Sequence, residues 1–317
     1  MPTSLQPMLD NKDVVLADGA IGSNLIAAGL KRGEPPEGWN LADGGRISAL
    51  HQSFIEAGSD IILTNSFGAS RIALDRYGLA EDTGEINRAA AGLARAAADG
   101  AGRPVLVAGS LGPTSFLLKP IGPLTAEEAE EAYAEQAAAL ADGGADMLWI
   151  ETMSAIEEME AASRGAAATG LPFVATMSFD TKGRTMMGTK PQAALEAARA
   201  MDQPPAAFGA NCGSHPRQLV ATIVQLAEAA EAGEIIIAKG NCGVPKLTAN
   251  GIQYDGTEAV MADYAQLARD AGARIIGGCC GTTAAHLAAI REALDKRPAG
   301  ARPDAARIAQ KFGPEEG

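Results

Sequence analysis

Aromatic side chains are scarce in this chain: Phe, Trp and Tyr together make up 4% of 317 residues. A pocket that recognised its ligand mainly by stacking would have few positions to draw on. There are only four cysteines, far from the disulfide framework on which small secreted domains depend, so a reducing cytoplasm is the expected setting. No apolar run reaches the roughly 18 residues of a membrane-spanning helix. The opening Met1-Pro2-Thr3-Ser4-Leu5-Gln6-Pro7 has no basic region leading into an apolar core, and no signal peptide is expected. Positive charge is also in deficit. Lys and Arg number 26 against 39 Asp and Glu, for a formal net charge of -13, which disfavours nucleic acid or an anionic membrane as partner. No G-x-G-x-x-G follows the first apolar run, which argues against an open doubly wound dinucleotide-binding sheet.

What is present is a globular composition, 47% hydrophobic and 21% charged, and a repeated pattern. Short apolar runs end in glycine or polar residues at 14–17, 61–63, 105–108, 147–150, 173–176, 206–209, 235–238 and 275–276. Continuous apolar runs without alternation suit strands covered on both faces. Helical stretches separate them. Thr125-Ala126-Glu127-Glu128 reads as a capping box opening a helix to about Ala141. Pro216 suits a first helical turn, and Gly58, Gly144 and Gly272 punctuate helix ends. Eight strands alternating with helices predict a single-domain (β/α)₈ TIM barrel of the α/β class over 1–300. Proline, glycine and charge become frequent after that, so 301–317 is expected to be a loosely ordered C-terminal tail. The connection from Gly29 to Gly45 is long for a βα loop, and such loops are often functional.

Barrel active sites lie at the C-terminal ends of the strands. There the pattern places Asp18, Asn65, Ser110, Glu151, Asn211, Cys212, Asn241, Cys279 and Cys280. Adjacent strand residues point to opposite faces. Cys279 and Cys280 therefore converge only if the backbone turns, as the surrounding glycines of Gly277-Gly278-Cys279-Cys280-Gly281 permit. With Cys212 they make three thiolates at the ends of two strands, which fits a zinc site with its fourth position open to substrate. Two other readings stand beside it: small buried residues, or a strained Cys279–Cys280 redox disulfide. Cys242, at the end of the intervening strand, is a further candidate ligand. Zinc held by thiolates lowers the pKa of an incoming thiol from about 8.5 and favours alkyl transfer to sulfur. Asp18 and Glu151 would hold a substrate ammonium, or cap a helix or loop.

These motifs resemble the homocysteine S-methyltransferase family from about Val14 to about Leu294. They are Ala17-Asp18-Gly19-Ala20, Thr64-Asn65-Ser66-Phe67-Gly68, Gly109-Ser110-Leu111-Gly112-Pro113, Ile150-Glu151-Thr152, Gly209-Ala210-Asn211-Cys212 and Gly277-Gly278-Cys279-Cys280-Gly281. The resemblance implies a TIM barrel, Zn2+ as cofactor, and methyl transfer to homocysteine giving methionine. It assigns Cys212, Cys279 and Cys280 as zinc ligands, Asp18 and Glu151 to the homocysteine amino group, and Asn241 to the fourth zinc position when substrate is absent. Asn65 and Ser110 join the substrate-binding set. Betaine enzymes of the family carry tyrosines at the positions of Gly68 and Thr152, and this chain has neither. Trp39, in the long loop, is the remaining aromatic wall for a small onium donor such as betaine, or else a loop anchor. A small onium donor is the expectation. The alternative is methylcobalamin on a corrinoid protein, with this chain as the homocysteine subunit of a split methionine synthase. A non-catalytic thiol or metal sensor is the third reading.

Overall fold

Each short apolar run of the sequence becomes a strand, because β-branched and aliphatic residues at every position can be buried only where both faces are covered. The computed structural model describes residues 4–31, 33–248 and 251–313. In chain order its strands are β1 (Val15–Leu16), β2 (Ile61–Leu63), β3 (Leu106–Leu111), β4 (Met147–Met153), β5 (Phe173–Met177), β6 (Phe208–Cys212), β7 (Ile236–Gly240), β8 (Pro245–Thr248), β9 (Gly251–Tyr254) and β10 (Ala273–Gly278). Eight of them form one parallel sheet in the order β1-β10-β7-β6-β5-β4-β3-β2. A parallel bridge from Ala17 to Ile61 joins its two ends. Asp60 tightens this seam. Its amide donates to the Leu16 carbonyl at 2.6 Å, and its carboxylate accepts the Leu16 N–H at 3.0 Å. The fold is the expected (β/α)₈ TIM barrel, with helices between the strands.

Side chains alternate across each strand. Val15, Ile61, Leu106, Met147, Val174 and Ile237 belong to one buried cluster, together with Leu5, Met8 and Leu9 of the helix Leu5–Asn11. That helix closes the N-terminal end of the barrel. Leu16, Ile62, Val107, Leu148, Ala175 and Ile276 belong to a second cluster shared with the outer helices. The signals read from the sequence act as expected. Thr125 and Glu128 form a reciprocal capping box at the start of the helix Ala126–Asp142, Pro216 opens the helix Pro216–Ala229, and Gly272 ends its helix at a φ of 121°.

Two segments depart from the expectation. Part of the tail is a helix, Ala305–Phe312. Asp304 caps it, Ile308 is buried, and Arg307 reaches the buried Asp270 at 2.6 Å. Arg297 and the Gly300 N–H meet the same carboxylate. The charges that suggested looseness are thus spent on one buried anion and a cap. Residues 314–317 lie outside those described. The second departure is the antiparallel pair of β8 and β9, which follows β7 at the barrel mouth and which no apolar run announced.

His51, in the helix Gly44–Glu56, is wholly buried, and neither ring nitrogen has a partner among the described residues. Burial lowers its pKa from 6.5 to about 4. The folded protein therefore resists protonation of a ring that the unfolded chain protonates near 6.5. Stability from this group is full above that pH and is lost as pH falls towards 4, at roughly 1.4 kcal/mol per unit. Urea unfolding at pH 7 and pH 5 should show the His51→Phe variant losing about 2 kcal/mol less than the parent between the two. Equal losses would show that His51 does not carry the acid sensitivity.

Candidate active site

Alternation continues past the apolar layers. The next inward positions are Ser110 above Ala108, Glu151 above Trp149, Lys239 above Ile237 and Cys279 beyond Ile275. Ser110, Glu151, Lys239 and Cys279 all line a cavity of about 220 Å³ at the barrel mouth. Cys212 reaches the same cavity by another route. It closes β6 with a φ of 60°, an uncommon conformation for a residue with a side chain. Cys280 turns inward just before Gly281, whose φ is 79°. A side chain at Gly281 would collide with the Tyr254 ring. The Sγ atoms of Cys212, Cys279 and Cys280 lie within 4.8 Å of one another, with Cys212 at 2.9 Å from Cys279 and 3.9 Å from Cys280. All four cysteines are free.

This donor set fits a soft metal ion. Sulfurs around a tetrahedral zinc, with Zn–S near 2.3 Å, are about 3.8 Å apart. Cys212 and Cys280 stand at that spacing, and Cys279 is in reach of both. Hydrogen bonds from Cys212 and Cys279, aided by Tyr254, pull the Cys280 thiol well below its ordinary range. The cluster therefore gives up its first proton readily. Asn241 donates to the Gly213 carbonyl at 2.6 Å, while its own buried Oδ1 has no partner among the described residues. That oxygen is a candidate fourth donor. Cys242 is buried apart, with its Sγ on the Gly256 carbonyl at 3.4 Å, and it is not part of the thiol group.

The two carboxylates have different situations. Glu151 lines the cavity and accepts the Ser110 hydroxyl at 2.6 Å. Burial pushes its pKa up to about 7, with Lys239 opposing. Asp18 is fully buried behind the wall. It accepts the Leu63 N–H at 2.8 Å and the Lys239 ammonium at 3.0 Å. Burial raises its pKa and Lys239 again opposes. Burial also opposes the charge on Lys239, but Asp18 and Glu151 outweigh it and hold the lysine above its usual range.

Asn65 lines the cavity, yet its amide is occupied. It donates to the Pro36 carbonyl and to Asn40 Oδ1, while Asn40 donates to the Asn65 carbonyl. Glu37 adds a bond from the Gly68 N–H at 2.7 Å. These contacts fasten the 3₁₀ turn Pro36–Gly38 and the helix Trp39–Ala42, both inside the long connection, to the loop after β2. Trp39 itself is not among the cavity-lining residues. It packs on the cluster of Leu25, Leu30 and Ile47, with the Arg46 guanidinium 5.1 Å from its ring centre. The structure places it as a loop anchor, because the short helix that carries it turns its ring towards the flanking helices.

One residue of the site, Lys239, is not singled out by the sequence pattern, and a second, Asn211, stands where the pattern puts it but with a role the pattern does not show. Lys239 directly follows the apolar run 235–238 and lies two residues after Ile237 on the inward face. Asn211 accepts the Thr152 N–H at 2.8 Å, donates to Thr152 Oγ1 at 2.7 Å and stands 3.7 Å from Cys279 Sγ. It joins the end of β4 to the thiol group.

Residues 15–294 match the homocysteine S-methyltransferase family. The chain is 30% identical over 314 residues to the methionine synthase of Mycobacterium tuberculosis, a match covering 93% of this chain and 26% of that protein. It is 28% identical over 297 residues to the methionine synthase of Mycobacterium leprae, covering 89% and 24%. The chain thus spans about a quarter of the length of these curated relatives. Among solved structures, the metallated form of the homocysteine methyltransferase MmuM from Escherichia coli superposes with a TM-score of 0.77 at 25% identity, covering 91% of this chain and 99% of that one.

The purified protein should carry about one metal ion per chain, zinc by the preference of thiolate donors. Thiol titration should find three cysteines protected in the metal-loaded protein and released by a chelator. Cys242, its pKa raised to about 11 by burial, should react slowly in both states. Cys242→Ala should keep the metal and Cys212→Ala should lose it. The reverse pattern would place the metal elsewhere.

Proposed function

The chain belongs to the homocysteine S-methyltransferase family, and on that premise we propose that it transfers a methyl group to the sulfur of homocysteine, forming methionine, at a zinc held by Cys212, Cys279 and Cys280. The observation that carries this reading is the group of three Sγ atoms opening into the same cavity as Glu151. Zinc bound there would supply Lewis acidity, lowering the pKa of a substrate thiol so that it reacts as thiolate. The remaining work falls to the chain itself. Glu151, oriented by Ser110, receives the substrate ammonium, and the approach of that cation draws the carboxyl's pKa down from near 7. Asn211 of β6, braced by Thr152 of β4, helps hold Cys279 in place. The thiol proton leaves to solvent, the sulfur attacks the methyl carbon, and the methyl–donor bond breaks with its electron pair staying on the donor.

For the donor, the reading best supported is methylcobalamin carried by a separate module docked over the mouth. Of the residues lining the cavity, Phe67 is the only aromatic one. A side chain at Gly68 would press on Glu37 Oε1 at 2.9 Å, and Trp39 faces away. A quaternary ammonium donor is best held by an aromatic cage, which these residues do not build. In addition, all nine exposed large apolar side chains among the described residues, Phe67, Phe116, Ile121, Met186 and Val244 included, sit on connections leaving the C-terminal ends of strands. Apolar surface gathered on one face marks a contact surface. The second reading, a small onium donor such as betaine, is supported by the narrowness of the cavity.

Homocysteine turnover measured in parallel with methylcobalamin, betaine, a dimethylsulfonium compound and S-methylmethionine should be supported by methylcobalamin alone. Turnover with an onium donor would establish the second reading, and none with any donor would sink the assignment. Glu151→Gln should raise the homocysteine KM about 10- to 100-fold, the worth of a hydrogen bond to a charged group, with metal content unchanged.

A further inference from the structure

Among the described residues, Lys239 is the one cationic side chain lining the cavity. It is almost wholly buried, and an ammonium carries three donors. Among the described residues it has a single hydrogen bond, to Asp18 Oδ1 at 3.0 Å, and a ring contact, with Nζ 5.2 Å from the centre of Trp149. Donor capacity is therefore left over on a buried cation facing a cavity. A buried charge is costly unless its partners satisfy it, so the arrangement calls for an anionic or strongly accepting ligand. Asp18 cannot be the group that meets substrate directly, since it is fully buried and already holds Lys239 and the Leu63 N–H. Glu151, by contrast, lines the cavity alongside Lys239, with only Ser110 on its carboxylate.

We propose that Lys239 binds the α-carboxylate of the substrate amino acid, so that Lys239 and Glu151 clamp the two ends of its zwitterion while Asp18 positions Lys239 from behind. The proposal rests on the homocysteine reading and adds to it. A free amino acid brings a carboxylate into the cavity with its ammonium, and the pair of carboxylates expected from the sequence provided only for the ammonium. With Lys239 in place, the wall offers one group of each sign. The clamp makes the site selective for an α-amino acid thiol over simple thiols or amines.

The test is binding, read by calorimetry on metal-loaded protein with no methyl donor present. Three thiols are compared: homocysteine, 3-aminopropane-1-thiol, which lacks the carboxylate, and 4-sulfanylbutanoic acid, which lacks the ammonium. The parent should bind 3-aminopropane-1-thiol about 10- to 100-fold more weakly than homocysteine. Lys239→Met should weaken homocysteine and 4-sulfanylbutanoic acid by that same factor and leave 3-aminopropane-1-thiol within about threefold. Because Lys239→Met strands a buried carboxylate, the double variant Asp18→Asn/Lys239→Met, with a neutral pair, should show the same selectivity. Equal weakening of all three thiols, or tighter homocysteine binding in either variant, would overturn the carboxylate role and leave Lys239 as the structural counter-ion of Asp18. If the metal-loaded parent binds 3-aminopropane-1-thiol as tightly as homocysteine, the clamp is refuted while the family reading stands. If it binds no homocysteine at all, the homocysteine reading fails and this inference with it.

Discussion

The strict two-residue alternation of the barrel strands is the constraint on which everything else depends. Once Val15, Ile61, Leu106, Met147 and Ile237 point inward, the identity of every inward position above them is fixed in space. The apolar layers stop at Ala108, Trp149, Ile237 and Ile275; the next inward step delivers a hydroxyl, a carboxylate and an ammonium, and the Cys279 thiol, two steps beyond Ile275, joins them at one place. A shift of one residue in any of these strands would send its functional group into the outer helices. The long apolar runs below are therefore what aims the polar residues above.

Most of this architecture was legible in the sequence because it rests on local rules. Eight apolar runs gave eight strands. The Thr125–Glu128 box, Pro216 and Gly272 acted at helix ends as their chemistry dictates. The convergence of Cys279 and Cys280 followed from the turn-permitting glycines around them. What stayed hidden depended on partners far away in the chain. Lys239, just past the end of an apolar run, gave no sign of its role, because its counter-ion Asp18 is 221 residues distant. Trp39 could be read as a pocket wall or as a loop anchor, because its orientation is set by Leu25, Leu30 and Ile47. The helix after residue 304 looked like solvent-loving tail, because the buried Asp270 that anchors Arg307 lies on another helix. The pairing of β8 with β9 had no apolar pattern to announce it.

Electrostatics at the mouth show how such a site tolerates so many acidic groups at once. Three thiols, Asp18 and Glu151 are crowded into a region of low polarity, where like charges repel strongly. One lysine, held against Asp18 and over the face of Trp149, offsets part of that load. Hydrogen bonds shared among the cysteines let one sulfur ionise ahead of the others. The remaining imbalance is of the sign that draws in a metal cation and a substrate ammonium, so charge alone biases the pocket toward its proposed occupants.

The lacing between the two loops that follow β1 and β2 has a consequence for traffic through the mouth. Asn40, Asn65 and Glu37 contribute four hydrogen bonds between these loops, all of them sheltered from solvent to some degree. Opening that quadrant means breaking the four together without immediate replacement by water, so it behaves as a fixed wall. Entry of one reactant and departure of one product must then share the far side of the rim, where β8 and β9 stand and Tyr254 leans on Gly281. The order in which reactants arrive is accordingly a property of which quadrant is sewn shut: whatever covers the free side last confines what went in first.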